Sequence, residues 1–307
     1  MSNVRVEQCP ICGNSEFRPK MVVEDYSVSH ESFAITQCTA CSLLLTNPRP
    51  DEASLGRYYE SPAYISHSDT HQGLINQVYK VARKFTVRQK VALLAREAPR
   101  RGRVLDYGCG TGYFLHAAKE AGWQVAGFEP NDAARRLAEQ NTGQPIAHGE
   151  LSQFAPASFD VITLWHVLEH ILDLNATLQQ LVTLLKPDGI LVIAVPNAES
   201  PDAQYYREQW AAYDVPRHLY HFTSKTVDRL LGKHHLQLRR TLPMKLDAFY
   251  ISLLSEQYRA ERDGGILAAL RSGYKSNRQA GQNGGQYSSL IFVAERAAPL
   301  PTPPAAS

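Results

Sequence analysis

Short apolar runs alternating with amphipathic stretches organise most of the chain. Runs at 103–107, 124–128, about 145–148, 159–164 and 189–195 have the length and β-branched content of buried strands. Between them, apolar positions recur at helical spacing near 113–122, 131–141 and 173–186. Ahead of the first strand, residues 75–98 read as one long helix, apolar at Val78, Val81, Ala82, Phe85, Val91, Leu94 and Ala95. It would cover whatever binds at the mouth of the sheet. Strand–helix alternation predicts a parallel, doubly wound α/β sheet. Further strands at 236–242 and 287–295 would complete it. Residues 245–278 have a helical pattern and read as an insertion, followed by a Gly/Gln/Asn loop at 279–286. The tail, 297–307, is rich in proline and alanine and reads as disordered.

The first strand ends in Val104-Leu105-Asp106-Tyr107-Gly108-Cys109-Gly110-Thr111-Gly112-Tyr113. This is a strand, a tight glycine turn and a helix start, the local geometry that receives a nucleotide-like ligand. Glycines let the backbone approach that ligand, and Asp106 can accept from an ammonium or hydroxyl. The third glycine comes one residue too early for the dinucleotide fingerprint. The second strand closes in Gly127-Phe128-Glu129-Pro130-Asn131, and Glu129 is placed to take both hydroxyls of a ribose.

Through these two motifs the chain resembles the class I S-adenosylmethionine (SAM)-dependent methyltransferases. Ser158-Phe159-Asp160-Val161-Ile162, Val167-Leu168-Glu169-His170 and Leu185-Lys186-Pro187-Asp188-Gly189 extend the resemblance over roughly 75–296. It implies a seven-stranded Rossmann-like sheet with an antiparallel last strand. It also implies a SAM site built from Asp106, Gly108, Gly110, Gly112, Tyr113, Glu129, Pro130, Glu150 and Trp165.

Composition adds little charge information. Lys+Arg 32 against Asp+Glu 30 gives +2, which neither favours nor excludes a polyanionic partner. No run approaches the ~18 apolar residues of a membrane span, and the start lacks a signal-peptide core. A cytoplasmic protein is expected, in which cysteine clusters mean metal more often than disulfides or redox pairs. Four of the five cysteines form two C-x-x-C knuckles, Cys9/Cys12 and Cys38/Cys41. They read as a structural Zn(2+) ribbon with all four positions filled by sulfur. Residues 1–50 would be this module, 51–98 a connector with the capping helix, and 99–296 the main domain. The ribbon has four Lys/Arg against five Asp/Glu, so nucleic-acid reading is disfavoured and a folding and substrate-capping role is expected. The arrangement looks like zinc-ribbon methyltransferases of bacterial secondary-metabolite and surface-sugar pathways, including deoxysugar C-methyltransferases.

Two segments project beyond the carboxyl ends of the strands, where such sheets bind ligands. Leu164-Trp165-His166-Val167-Leu168-Glu169-His170 holds a literal H-x-x-E-H, but its place after a sheet strand argues against the inverted zincin reading. The second segment, 210–223, gathers aromatics with Arg217, His218 and His221 into a loop that reads as an acceptor wall. His218 is the candidate base, His166 and His221 are further catalytic candidates, and Arg217 would hold an acidic or phosphate group. Transfer of a methyl group to a small-molecule acceptor is the expected function, a sugar nucleotide or a hydroxyl or enol. Alternatives are RNA or protein methylation with the ribbon as reader, or a non-catalytic SAM-binding partner. The acceptor and the oligomeric state have no signature in the sequence.

Overall fold

A computed structural model describes residues 3–59, 74–98, 100–259 and 265–297. The aromatic connector beyond Tyr59 and the tail from 298 lie outside the described residues. The amino-terminal part contains β1 (Asn3–Val4), β2 (Phe17–Glu24), β3 (Ser32–Cys38), β4 (Leu44–Thr46) and β5 (Arg49–Pro50). β2, β3 and β4 form an antiparallel meander, and β1 closes on β5. Each cysteine knuckle is a tight turn. Gly13 N donates to Cys9 O and Ser42 N to Cys38 O, both turns ending at positive φ.

After a short helix α1 (Glu52–Leu55), capped by Asp51, comes the long α2 (Leu74–Glu97). The main domain then runs β6 (Arg103–Tyr107), α3 (Tyr113–Glu120), β7 (Gln124–Phe128), α4 (Asp132–Thr142), β8 (Phe159–Trp165), α5 (Leu174–Leu184) and β9 (Leu185–Pro196). It continues through α6 (Pro201–Tyr206), β10 (Tyr220–His221), α7 (Ser224–Lys233), β11 (Leu236–Pro243), α8 (Asp247–Arg259), α9 (Ile266–Gln282) and β12 (Ser289–Arg296). The sheet order is β11-β12-β9-β8-β6-β7. β6 to β9 run parallel, and β12 is antiparallel to both neighbours, as expected. Period-two alternation decides which side chain faces which layer. Val104, Val161 and Val192 pack with Leu93, Leu94 and Phe114 on the α2/α3 face. Their neighbours Leu105, Ile162 and Ile193 pack with Leu178 and Leu181 of α5 on the other.

Several boundaries differ from expectation: β9 already begins at Leu185, where the helix is expected to continue to 186. The strand expected near 145–148 is reduced to a parallel bridge between Phe128 and Ala147. Pro145 has no N–H to give to a ladder, so the seventh position cannot extend. Residues 279–282, expected in a loop, are the last turn of α9. This helix buries a stripe of small residues, Ala269, Gly273, Ser276 and Ala280. A Cβ on Gly273 would come within 2.9 Å of Phe249 Cα in α8, so the two backbones pack closely.

Candidate functional site

The glycine turn bends back over the tip of β7. Gly108 N and Cys109 N both donate to Phe128 O, and Gly110 N donates to Glu129 Oε2 at 2.8 Å. The other oxygen of Glu129 accepts from Asn131 N at 2.9 Å. Glu129 therefore locks the turn to the second strand and keeps further lone pairs on both oxygens. Burial raises its pKa against those two N–H donors. Gly108, Gly110 and Gly112 all take positive φ. A Cβ on Gly110 would meet nothing within 4 Å, so this backbone faces open space, as a cradle for a ligand requires. Asp106 is buried, and Thr163 Oγ1 donates to it at 2.6 Å. Burial pushes its carboxyl up to about 7, against that bond and the charge of Lys90.

The other residues expected around the cofactor spread around this turn. Tyr113 opens α3 under the guanidinium of Arg83, whose Cζ lies 3.9 Å from the ring centroid. Trp165 is buried at the end of β8, edge-on to Phe114. Pro130 is exposed beside Glu129. Glu150 is exposed and accepts from Ser152 Oγ. Burial raises the Cys109 thiol, consistent with an inert side chain.

Beyond β8 and β9 the histidines separate into distinct environments. His166 Nε2 lies 3.0 Å from Asp247 Oδ2, and its Nδ1 lies 3.5 Å from Glu169 Oε1. Burial opposes a charge there, but the two carboxylates outweigh it and push the imidazole up to about 9. His166 is thus an imidazolium near neutrality, with no free lone pair to act as base. His170 and His218 meet edge to face, centroids 4.6 Å apart. His218 Nδ1 pairs with Ala212 O at 2.8 Å, and His170 Nδ1 with Arg217 O at 3.1 Å. A carbonyl only accepts, so His218 Nδ1 carries hydrogen, and its Nε2 lies 3.9 Å from Asp214 Oδ2; His170 Nδ1 also meets the Tyr59 hydroxyl at 3.0 Å. Burial drives His170 down to about 4, so it stays neutral. Glu169 is 1% exposed, and neither of its oxygens accepts a hydrogen bond among the described residues. Glu169, His170 and His218 offer ligand atoms within 4.8 Å of one another, a set that could also hold a cation. The cluster takes only one histidine of the H-x-x-E-H run; the other faces Asp247.

The loop bearing His218 is stitched to the ribbon. β10 adds antiparallel to β4 as a fourth strand, with Tyr220 opposite Leu45 and His221 opposite Leu44. Thr46 Oγ1 donates to His218 O at 2.7 Å and sits 3.2 Å from His221 Nε2. His221, expected near the acceptor, lies instead in this junction, where burial drives its imidazole down to about 3. Arg217 departs from expectation too. It is 1% exposed and its fork is filled by Asp25 at 2.8 Å, Asp214 at 2.7 Å and Tyr58 O, leaving nothing for an acceptor's acidic group. Asp25, Asp214, Asp247 and Thr46 carry no motif, and a reading of the sequence passes over them.

The four ribbon cysteines converge within 4.8 Å, with Cys9 and Cys41 sulfurs 3.4 Å apart and Cys12 and Cys38 3.5 Å apart. A tetrahedron with Zn–S bonds of ~2.3 Å has edges of roughly 3.8 Å, so the donor set fits zinc. Burial would raise the Cys38 thiol, but backbone N–H groups of Cys41 and Ala40 bring it down to about 6. A separate groove of ≈ 830 Å³ opens between α6, α8 and α9, lined by Asp202, Tyr205, Glu256, Arg271 and Lys275 among others. None of the turn or histidine residues lines it, so it is distinct from this site.

Comparison with known proteins fits this geometry. A family model described as a methyltransferase domain matches residues 79–241. The chain is 37% identical over 108 residues to the ubiquinone biosynthesis O-methyltransferase of Actinobacillus pleuropneumoniae serotype 7 (strain AP76), covering 31% of this chain and 46% of the relative. It is 34% identical over 101 residues to that of Rhodopseudomonas palustris (strain HaA2), covering 31% and 40%. The match thus spans less than half the length of these relatives. In fold it is similar to magnesium protoporphyrin IX methyltransferase from Synechocystis PCC 6803 with bound SAH. That structure is 17% identical at a TM-score of 0.53, covering 80% of this chain and 100% of the other.

Proposed function

The chain belongs to the methyltransferase-domain family, and on that footing we propose that it is a SAM-dependent methyltransferase acting on an oxygen of a small-molecule acceptor. The observation that carries this reading is the cradle of Asp106, the glycine turn and Glu129 at the same end of the sheet as the His218 cluster. The relatives' designation as O-methyltransferases favours a hydroxyl or enol acceptor.

SAM, when bound, supplies a methyl already activated by its sulfonium. Asp106 would accept from the ammonium of its amino-acid end, and the free lone pairs of Glu129 would take the ribose hydroxyls. The positive-φ glycines keep side chains out of the space the cofactor needs. On the acceptor side, His218 Nε2 would remove the hydroxyl proton, since Ala212 O takes the hydrogen of Nδ1 and leaves Nε2, in the cluster with Glu169 and His170, as the basic nitrogen. Glu169 stands close enough to stabilise the imidazolium so formed. His166, held charged by Asp247 and Glu169, contributes a fixed positive field rather than proton transfer. Aligning acceptor and methyl donor supplies most of the acceleration.

Incubation with methyl-labelled SAM and a small-molecule extract, followed by mass spectrometry, would identify the acceptor. With that substrate, His218→Ala is expected to lower kcat by about 10²-fold while SAM affinity by calorimetry stays within twofold. Unchanged turnover in His218→Ala would exclude the base role.

A further inference from the structure

Among the described residues, the outer face of α9 is left without a cover. The helix buries its row of small residues against α8, and that row already closes the contact between the two. Its outer surface has a different make-up. Ile266, Leu270 and Tyr274 repeat at every fourth position with Leu267 beside them, and all four are 49–82% exposed. Arg271, Lys275 and Arg278 form the adjoining exposed row, and no acidic residue occurs from Ile266 to Gln282. Among the described residues, none of these three cations forms an ion pair.

The patch continues beyond the helix. The groove between α6, α8 and α9 runs along the basic row, with Leu267, Arg271 and Lys275 on one side and Tyr205 on the other. Tyr205 is exposed, and Arg259 Cζ lies 4.9 Å and Lys275 Nζ 6.0 Å from its ring centroid. Large apolar side chains gathered on a surface mark a contact region. The unpaired cations beside them fix the sign of what is contacted. A second copy would set the same cations against each other across a two-fold axis. An acidic protein would need hollows shaped to side chains that stand out from a convex helix. A bilayer needs no such match, because acyl chains close around the apolar row and long basic side chains reach the phosphates.

We propose that α9 docks the protein on the surface of an anionic lipid bilayer. The helix lies in the plane of the interface, with Ile266, Leu267, Leu270 and Tyr274 among the acyl chains and Arg271, Lys275 and Arg278 at the headgroup phosphates. This is a surface contact; no helix of the described residues is long and apolar enough to cross a membrane. The proposal is independent of the methyltransferase reading.

Cosedimentation of the full chain with vesicles tests it. Wild type should bind phosphatidylcholine vesicles carrying about 30% phosphatidylglycerol at about 20 mM salt, and lose most of that binding at about 500 mM. Pure phosphatidylcholine vesicles should hold roughly 10-fold less protein. Arg271→Gln with Lys275→Gln should weaken partition about 10–30-fold, at roughly fivefold per cation. Leu267→Gln with Leu270→Gln should weaken it at least about 10-fold. Both pairs are exposed, so each double variant should melt as wild type does, which separates lost docking from lost fold. Failure of wild type to bind the anionic vesicles would overturn the proposal, as would unchanged binding of the double leucine variant. A dimer in analytical ultracentrifugation that the leucine changes dissolve would also overturn it, giving this face to a second copy. Salt-sensitive capture by polyglutamate but not by vesicles would give it to an acidic protein instead.

Discussion

His166 sits at φ 58, a left-handed conformation that a histidine seldom adopts. Its backbone N–H donates to Ala194 O, and its ring is clamped between Asp247 and Glu169. Burial works against the imidazolium, yet the two carboxylates push its pKa up to about 9, above the ordinary value near 6.5. A folded-state pKa above the unfolded one gives stability that is complete below about pH 6.5 and lost as pH rises through about 9. The melting-temperature difference between wild type and His166→Asn should therefore be largest near pH 6 and shrink towards pH 9.5. A difference that stays flat over that range would show that the ring is not charged in the fold. His170 and His221 have the opposite sign. Burial drives them down to about 4 and about 3, so their contribution is present above about pH 6.5 and fades as pH falls towards those values. The spacing after β8 made His166 legible as a candidate, but its partner Asp247 belongs to the insertion, with no motif to mark it.

At the scale of elements, the glycine turn sets how α3 and α4 meet the sheet. A Cβ on Gly112 would lie 2.9 Å from Ala138 Cα, a backbone atom of α4 that has no room to move aside. Left-handed strain and this collision together should cost about 2–5 kcal/mol in Gly112→Ala, measured by urea unfolding. Gly110→Ala meets no atom within 4 Å, so it should cost only the conformational part, about 1–2 kcal/mol, yet still abolish SAM binding by filling the cradle. Equal destabilisation by the two substitutions would contradict this division. Parallel strands and their helices were readable because each buries a long apolar pattern. The third strand was not, because Pro145 withholds a donor that hydropathy does not register. Nor was the end of α9, whose buried stripe of alanine, glycine and serine looks like loop composition.

In the whole molecule, the ribbon and the main domain share one core. Ile35, Leu43 and Leu45 of the ribbon belong to the same cluster as Trp210, Phe222 and Phe292. The cysteine pattern marked the four-sulfur cluster, but nothing in the sequence marked the buried Asp25–Arg217–Asp214 group that ties hairpin to loop across 192 positions. Stripping zinc by chelation, or Cys9→Ser, should therefore loosen β4 and the His218 loop together. Turnover is expected to fall at least 10-fold while SAM affinity stays within about threefold, because α3, α4 and the glycine turn lie outside the ribbon. Full turnover in zinc-free protein, checked by metal analysis, would show that the ribbon does not hold the loop. The shared strand also imposes an order on synthesis. Thr46 and His218 are 172 positions apart, so at ribosomal speed β4 waits roughly 10–30 s for the strand that completes its sheet. Through that interval the backbone edge of Leu44 and Leu45 is open to pairing with any neighbouring nascent chain. Rapid translation through the intervening domain would shorten that exposure, and pauses before residue 221 would lengthen it.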